Sequence, residues 1–184
     1  MSKLLAMLMT KQQYMNLDIV GSPTISNGVV SGFSNSAYMT ASKNVSLSSD
    51  DVLEVVLDLK MTSFNSNGLC FLSNNNNIRF QFYGTNDTYK QLNLGGESTY
   101  GTKQFLLNTY YQIKIVMTAT TINMYYYENG VWILEKTYTG TFSNISSLCF
   151  GDRYTHTSGG YFSGEINFNN SYIKINGTKY IFIC

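Results

Sequence analysis

Tyr161-Phe-Ser-Gly-Glu-Ile-Asn-Phe-Asn-Asn-Ser-Tyr-Ile-Lys-Ile-Asn-Gly-Thr-Lys-Tyr-Ile-Phe-Ile183 is the stretch that decides the fold. Two runs of alternating apolar and polar residues flank Asn176-Gly177. Alternation with a period of two gives a strand with one buried and one wet face. An Asn-Gly pair takes the positive φ values that a tight hairpin requires. The chain therefore ends in antiparallel sheet.

The same pattern extends upstream. In Val52–Lys60, Leu53, Val55, Leu57 and Leu59 point one way, and Glu54, Val56, Asp58 and Lys60 the other. Leu69–Leu72 and Ile78–Tyr83 flank an Asn74–Asn77 turn. Tyr111–Met117, Ile122–Tyr127 and Val131–Tyr138 follow, the last two joined by Glu128-Asn-Gly130. Turn signals recur at Gly21-Ser-Pro23, Ser26-Asn-Gly28, Gly95-Gly96 and Gly159-Gly160. Short strands at such spacing, with Pro23 the only proline, predict an all-β sandwich or barrel. No linker divides the chain, and residues 17–184 read as a β-sandwich domain.

The first residues read differently. The pattern predicts a short helix over residues 1–15, with Leu4, Leu5, Leu8 and Met15 on one face, widened by Met7 and Met9. A helix this short is marginal alone in water, so it must pack on its own domain or on a partner. Met-rich surfaces adapt readily to partners. Residues 1–16 are accordingly expected to be an assembly contact made through Leu4, Leu5, Leu8 and Met9. The apolar run Leu4–Met9 is shorter than the ~7–15 residues of a secretory h-region, and no cleavage site follows. No run approaches the ~18 apolar residues of a membrane span. The expectation is synthesis in the cytoplasm without a signal peptide, and no membrane insertion. The sequons at Asn44, Asn86, Asn144 and Asn176 are then chance matches.

Composition narrows the partners. The 184 residues carry a net charge of +1, with 12% charged and 15% aromatic residues. Such a balance gives no steep attraction for phosphate, so nucleic acid is not an expected partner. Tyr125-Tyr-Tyr127 lies in Ile122–Glu128, which offers no Lys or Arg to track a backbone. Alternation buries Tyr126 with Ile122 and Met124. Cys70, Cys149 and Cys184 form neither a disulfide framework nor a zinc pattern, and Cys70 and Cys149 read as small buried hydrophobes.

The order of the pieces carries a resemblance. Val20–Met39 reads as strand, short hairpin and strand; the long strand 52–60 and the Tyr-Glu-Asn-Gly hairpin with Trp132 follow. Phe150-Gly151, a loop, and Phe162-Ser-Gly-Glu-Ile running into Ser171-Tyr-Ile-Lys-Ile175 close the chain. This order resembles the concanavalin A-like lectin/glucanase (laminin G-like) jelly-roll superfamily, and within it the single-domain versions found in bacteriophage tail and other virion proteins. The resemblance implies a two-sheet antiparallel jelly-roll sandwich, with strands from the two chain ends paired near an edge. It also implies a non-enzymatic virion structural protein (tail fibre, baseplate or head decoration) that attaches to a host surface glycan. Its partners would be other virion proteins and further copies of itself. The alternatives are a stand-alone bacterial lectin-like module and a glycan hydrolase or lyase with degenerate motifs.

Glycoside hydrolysis needs two carboxylates flanking the bond. Glu54 and Asp58 share a strand face, but four residues place them roughly 13 Å apart, beyond either stereochemical geometry. His156 is the only histidine, and no Gly-X-Ser-X-Gly elbow accompanies it. Asp87 and Asp152 are single carboxylates among neutral groups and suit Asx-type turns better than calcium. No metal and no cofactor are expected. Trp132 reads as sandwich filling. Sugar sites combine flat aromatic faces with planar polar groups. Two loops carry that combination: Tyr83, Asp87 and Tyr89 in one, and Asp152, Arg153, Tyr154 and His156 in the other.

Overall fold

The computed structural model describes residues 12–41, 50–64, 68–74, 78–86, 88–95, 97–142, 145, 147–153, 155 and 160–184. The strands in chain order are β1 (Gln13–Val20), β2 (Thr24–Ser26), β3 (Val29–Ser31), β4 (Tyr38–Ala41), β5 (Leu53–Met61), β6 (Gly68–Asn74) and β7 (Arg79–Tyr83). They continue as β8 (Gln91–Leu94), β9 (Tyr110–Met117), β10 (Thr121–Glu128), β11 (Val131–Thr139), β12 (Leu148–Phe150), β13 (Gly164–Ile175) and β14 (Thr178–Ile183).

The decisive hairpin forms as its alternation requires. Strands β13 and β14 pair antiparallel across Asn176 (φ 49°) and Gly177 (φ 80°). Asn129 and Gly130 take the same conformation between β10 and β11. In β5, Leu53, Val55, Leu57, Leu59 and Met61 enter the core. The opposite face of β5 is taken up by structural polar contacts. Glu54 pairs with Lys174 at 2.8 Å. The Asp58 carboxylate accepts from Asn167 Nδ2 (3.1 Å) and Asn170 Nδ2 (2.9 Å), at the register shift of β13.

Two separate sheets are not what forms. The strands make one 14-stranded sheet along the path β11-β10-β9-β5-β13-β14-β1-β4-β12-β6-β7-β8, with β2 and β3 off it. The link is β1. Its first half pairs parallel with β14 (Gln13↔Tyr180), and its second half antiparallel with β4 (Leu17↔Ala41). The two chain ends therefore pair in the middle of the path, not near an edge. At the far ends the sheet nearly closes into a barrel. Tyr138 of β11 accepts from Leu94 N of β8 at 3.2 Å and donates to Thr99 O at 3.3 Å. The halves face each other as sandwich layers would, over a shared aromatic core. Phe150 meets Phe168 and Phe182 at 5.7 and 5.3 Å, and Phe162 meets Phe71 and Phe82 at 6.3 Å.

The expected N-terminal helix is also corrected. Gln13, Tyr14 and Met15 belong to β1, where Met15 and Leu17 turn inward with a period of two. No helix occurs among the described residues. Residues 1–11, with Leu4, Leu5, Leu8 and Met9, lie outside them.

Trp132 does not fill the core. It faces Tyr127 across β10 and β11 on the outer surface, ring centroids 5.1 Å apart. The Lys114 ammonium sits 4.7 Å from the Trp132 ring and 4.4 Å from Tyr125. Burial pulls the Lys114 pKa down.

Candidate functional site

The alternation of β7 makes one side of a site. Phe80 and Phe82 are in the core, so Arg79, Gln81 and Tyr83 stand on the opposite face. On β8, Leu92 and Leu94 point inward and Gln91 and Asn93 outward. The register sets Gln81 opposite Asn93, and Tyr83 opposite Gln91.

Two loops wall this face. The segment after β8 folds back over it, because Asn93 Nδ2 donates to Glu97 O (3.2 Å) and Thr99 O (3.0 Å), and Gln91 Nε2 to Gly101 O (2.8 Å). That brings Tyr100 against Tyr83, with centroids 5.4 Å apart and planes 7° from parallel. The other wall follows β12. Gly151 turns at φ 86°, and the buried Asp152 accepts through its main-chain oxygen from Ser73 Oγ at 2.9 Å. Cys70 N donates to Gly160 O at 2.9 Å. Arg153 lies between these anchors.

The result is a cavity of about 380 Å³ lined by Arg79, Gln81, Asn93, Glu97, Ser98 and Arg153, with Tyr83 and Tyr100 at one end. Beyond the tyrosine pair lies a second cavity of about 330 Å³, lined by Thr85, Asn86, Tyr89 and Gln91 as well as both tyrosines. Its loop is fixed from two sides. Asn86 Oδ1 accepts from Thr88 N at 2.8 Å in an Asx turn, and the buried Lys90 donates to Gly84 O.

Arg79 and Arg153 are the chain's only arginines, and both line the first cavity. Each lies over a glycine that leaves it room. A Cβ at Gly95 would come within 2.6 Å of Arg79 Nε, and one at Gly160 within 2.0 Å of Arg153 Nε. Beneath them the Cys70 thiol is pushed up by burial, then by Cys149 and Asp152, while Arg153 and Arg79 pull the other way. Burial, aided by Asp152, likewise raises Cys149 to about 12, so both thiols stay protonated at neutral pH.

The hydrogen bonds fix what the floor presents. Asn93 gives its amide nitrogen to two loop carbonyls, so its oxygen must accept. Gln81 Nε2 supplies that proton at 3.0 Å. Gln81 Oε1 is then turned away, is buried and has no partner among the described residues. A buried carbonyl left without a donor is costly.

Of the residues nominated by sequence, Tyr83 and Arg153 come to the same cavity, and Tyr89 lines the neighbouring one. Asp152 lies buried under the wall and serves through its backbone. Asp87, Tyr154 and His156 lie outside the described residues. Arg79, Gln81, Asn93, Glu97 and Tyr100 were missed. The signal for three of them was present, because alternation in Arg79–Tyr83 and Gln91–Leu94 puts Arg79, Gln81 and Asn93 on one polar face.

Among solved structures, the chain is similar to the enzymatically active domain of bacteriophage CBA120 tailspike protein 2 (TM-score 0.61, 14% identity), covering 93% of this chain and 30% of that one. It is similar to the alginate lyase AlgAT5 of polysaccharide lyase family 7 (TM-score 0.53, 18% identity), covering 86% and 76%. It is also similar to a legume lectin-like domain from Entamoeba histolytica (TM-score 0.55, 12% identity), covering 89% and 90%. The chain thus spans less than a third of the tailspike's length. No family model matches the sequence, and no curated protein matches it. At these identities the likeness establishes the fold alone, a jelly-roll-like arrangement shared with these domains.

Proposed function

We propose that this protein is a non-catalytic glycan-binding domain of a bacteriophage virion, serving in attachment to a host surface polysaccharide. The observation that carries the reading is the stacked Tyr83–Tyr100 pair set between two polar cavities. A sugar ring offers an apolar C–H face and a rim of hydroxyls. Tyrosine rings suit the first, and the polar side chains that line the cavities, Ser98, Thr85 and Asn86 among them, suit the second. The aromatic surface Tyr125–Trp132 already has Lys114 over its rings.

Binding is favoured over hydrolysis because Glu97 is the single carboxylate among the described residues lining the two cavities, and glycoside cleavage uses a pair. The virion assignment draws support from the tailspike likeness and from the resemblance of the closing Phe162–Ile175 run to phage proteins. Residues 1–16 would be the assembly contact. Because β1 begins at Gln13, an informative truncation stops at residue 12.

A glycan array with wild type and Tyr100→Ala tests the binding reading. Retention of host polysaccharide by wild type, weakened in the variant and without release of reducing or unsaturated ends, supports it. Silence across the array overturns it, and released ends replace binding by catalysis. Peptides of this chain in density-purified particles test the virion role, and their absence overturns it.

A further inference from the structure

We infer that the first cavity is an acidic-sugar subsite that seats the carboxylate of a hexuronate between Arg79 and Arg153. This rests on the groove being a glycan site, and goes on to assign the class of sugar. Three observations converge. Both arginines of the chain line this one cavity, with Glu97 its only opposing charge among the described residues. Each arginine is accommodated by a glycine, Gly95 or Gly160, where any side chain would displace it. Gln81 lines the same cavity, and its Oε1 is buried without a partner among the described residues.

Together they describe the ligand. A guanidinium is a planar fork that matches a carboxylate with two parallel hydrogen bonds. The two arginines that line the cavity supply such forks. The Gln81 carbonyl requires a donor in return, and a carboxylate has none to give at neutral pH. A hexuronate carries both, a carboxylate and hydroxyls on the same ring. Free sulfate, which carries no proton at neutral pH, would leave the Gln81 carbonyl unsatisfied. The second cavity has no charged residue among its described lining, and takes a neighbouring sugar across the Tyr83–Tyr100 divide.

The test is titration calorimetry with trimers of galacturonate, glucuronate, mannuronate and guluronate, each beside its carboxyl-reduced counterpart and a sulfated neutral trimer. At least one uronate should bind about tenfold or more tighter than its reduced form. Arg79→Gln and Arg153→Gln should each remove that preference, and Arg79→Lys should not restore it, because an ammonium lacks the fork. Equal affinity for a uronate and its reduced form overturns the carboxylate assignment but leaves the groove as a neutral-glycan site. A sulfated trimer matching the best uronate overturns it too. Failure of every trimer, and of a broad glycan array, removes the glycan reading itself. The wild-type comparison decides the matter even if an arginine variant does not fold.

Discussion

The rings of Tyr83 and Tyr100 lie 5.4 Å apart and 7° from parallel, although one ends β7 and the other sits in the loop beyond β8. The loop reaches this position because Asn93 and Gln91 hydrogen-bond its carbonyls. A platform built this way is separable from the core. Tyr83→Ala and Tyr100→Ala should each weaken oligosaccharide binding about tenfold by calorimetry. Tyr100 is 40% exposed, so its variant should unfold at nearly the wild-type urea concentration.

Asn93 should matter to stability as well as to the site. Asn93→Leu leaves Gln81 Nε2 without its acceptor and releases the loop carbonyls of Glu97 and Thr99. A loss of about 1–3 kcal/mol in urea unfolding is expected. Faster proteolytic cleavage within residues 97–101 should accompany it.

Gly151 turns the chain out of β12 toward Arg153. Its φ is 86°, and a Cβ there would stand 2.1 Å from the Phe33 ring. Gly151→Ala should destabilise by about 2–4 kcal/mol, from left-handed backbone strain and a crowded core together. The check is equilibrium denaturation against a Gly130→Ala control. That glycine also has positive φ but open space around it, so its loss should be smaller.

Stability should fall at both pH extremes through one contact. Tyr110 donates to Glu165 Oε2 at 2.6 Å, and Lys60 pairs with Glu165 at 2.9 Å. The Tyr110 bond, reinforced by Lys60, holds the Glu165 carboxyl below its usual value of 4.5. Its contribution is present above that value and is lost as pH falls through the lower folded one. Burial, reinforced by Glu165, raises Tyr110 from 10.0 to about 12. That contribution is present below 10.0 and is lost as pH rises through about 12. Urea midpoints measured across pH should show both declines, each shallower in Tyr110→Phe.

Much of the sheet was legible because a strand writes its exposure with a period of two. Leu53 to Leu59 and the Asn176-Gly177 hairpin could be read directly. Pairing between distant strands leaves no such mark. Nothing local says that β1 joins β14 by its first half and β4 by its second, so the continuous sheet was unreadable. Met15 shows how a short segment misleads. Alongside Leu4, Leu5 and Leu8 it suits a helical face, yet with Leu17 it fits a strand, and tertiary pairing decided the matter. The site divides in the same way. Tyr83, at the end of β7, and Arg153, in the loop after β12, stood out by chemistry. Arg79 and Gln81 looked like ordinary strand polarity until the walls from residues 97–101 and 151–153 enclosed them.

The central claim is that sugar binds over β7 and β8. It is tested most directly by an amide ¹H–¹⁵N titration of the wild-type protein with a binding oligosaccharide. Shifts concentrated at Arg79–Tyr83, Gln91–Asn93, residues 97–101 and Arg153 are the predicted result. Shifts centred on Tyr125, Tyr127 and Trp132, with the β7–β8 face silent, would contradict it.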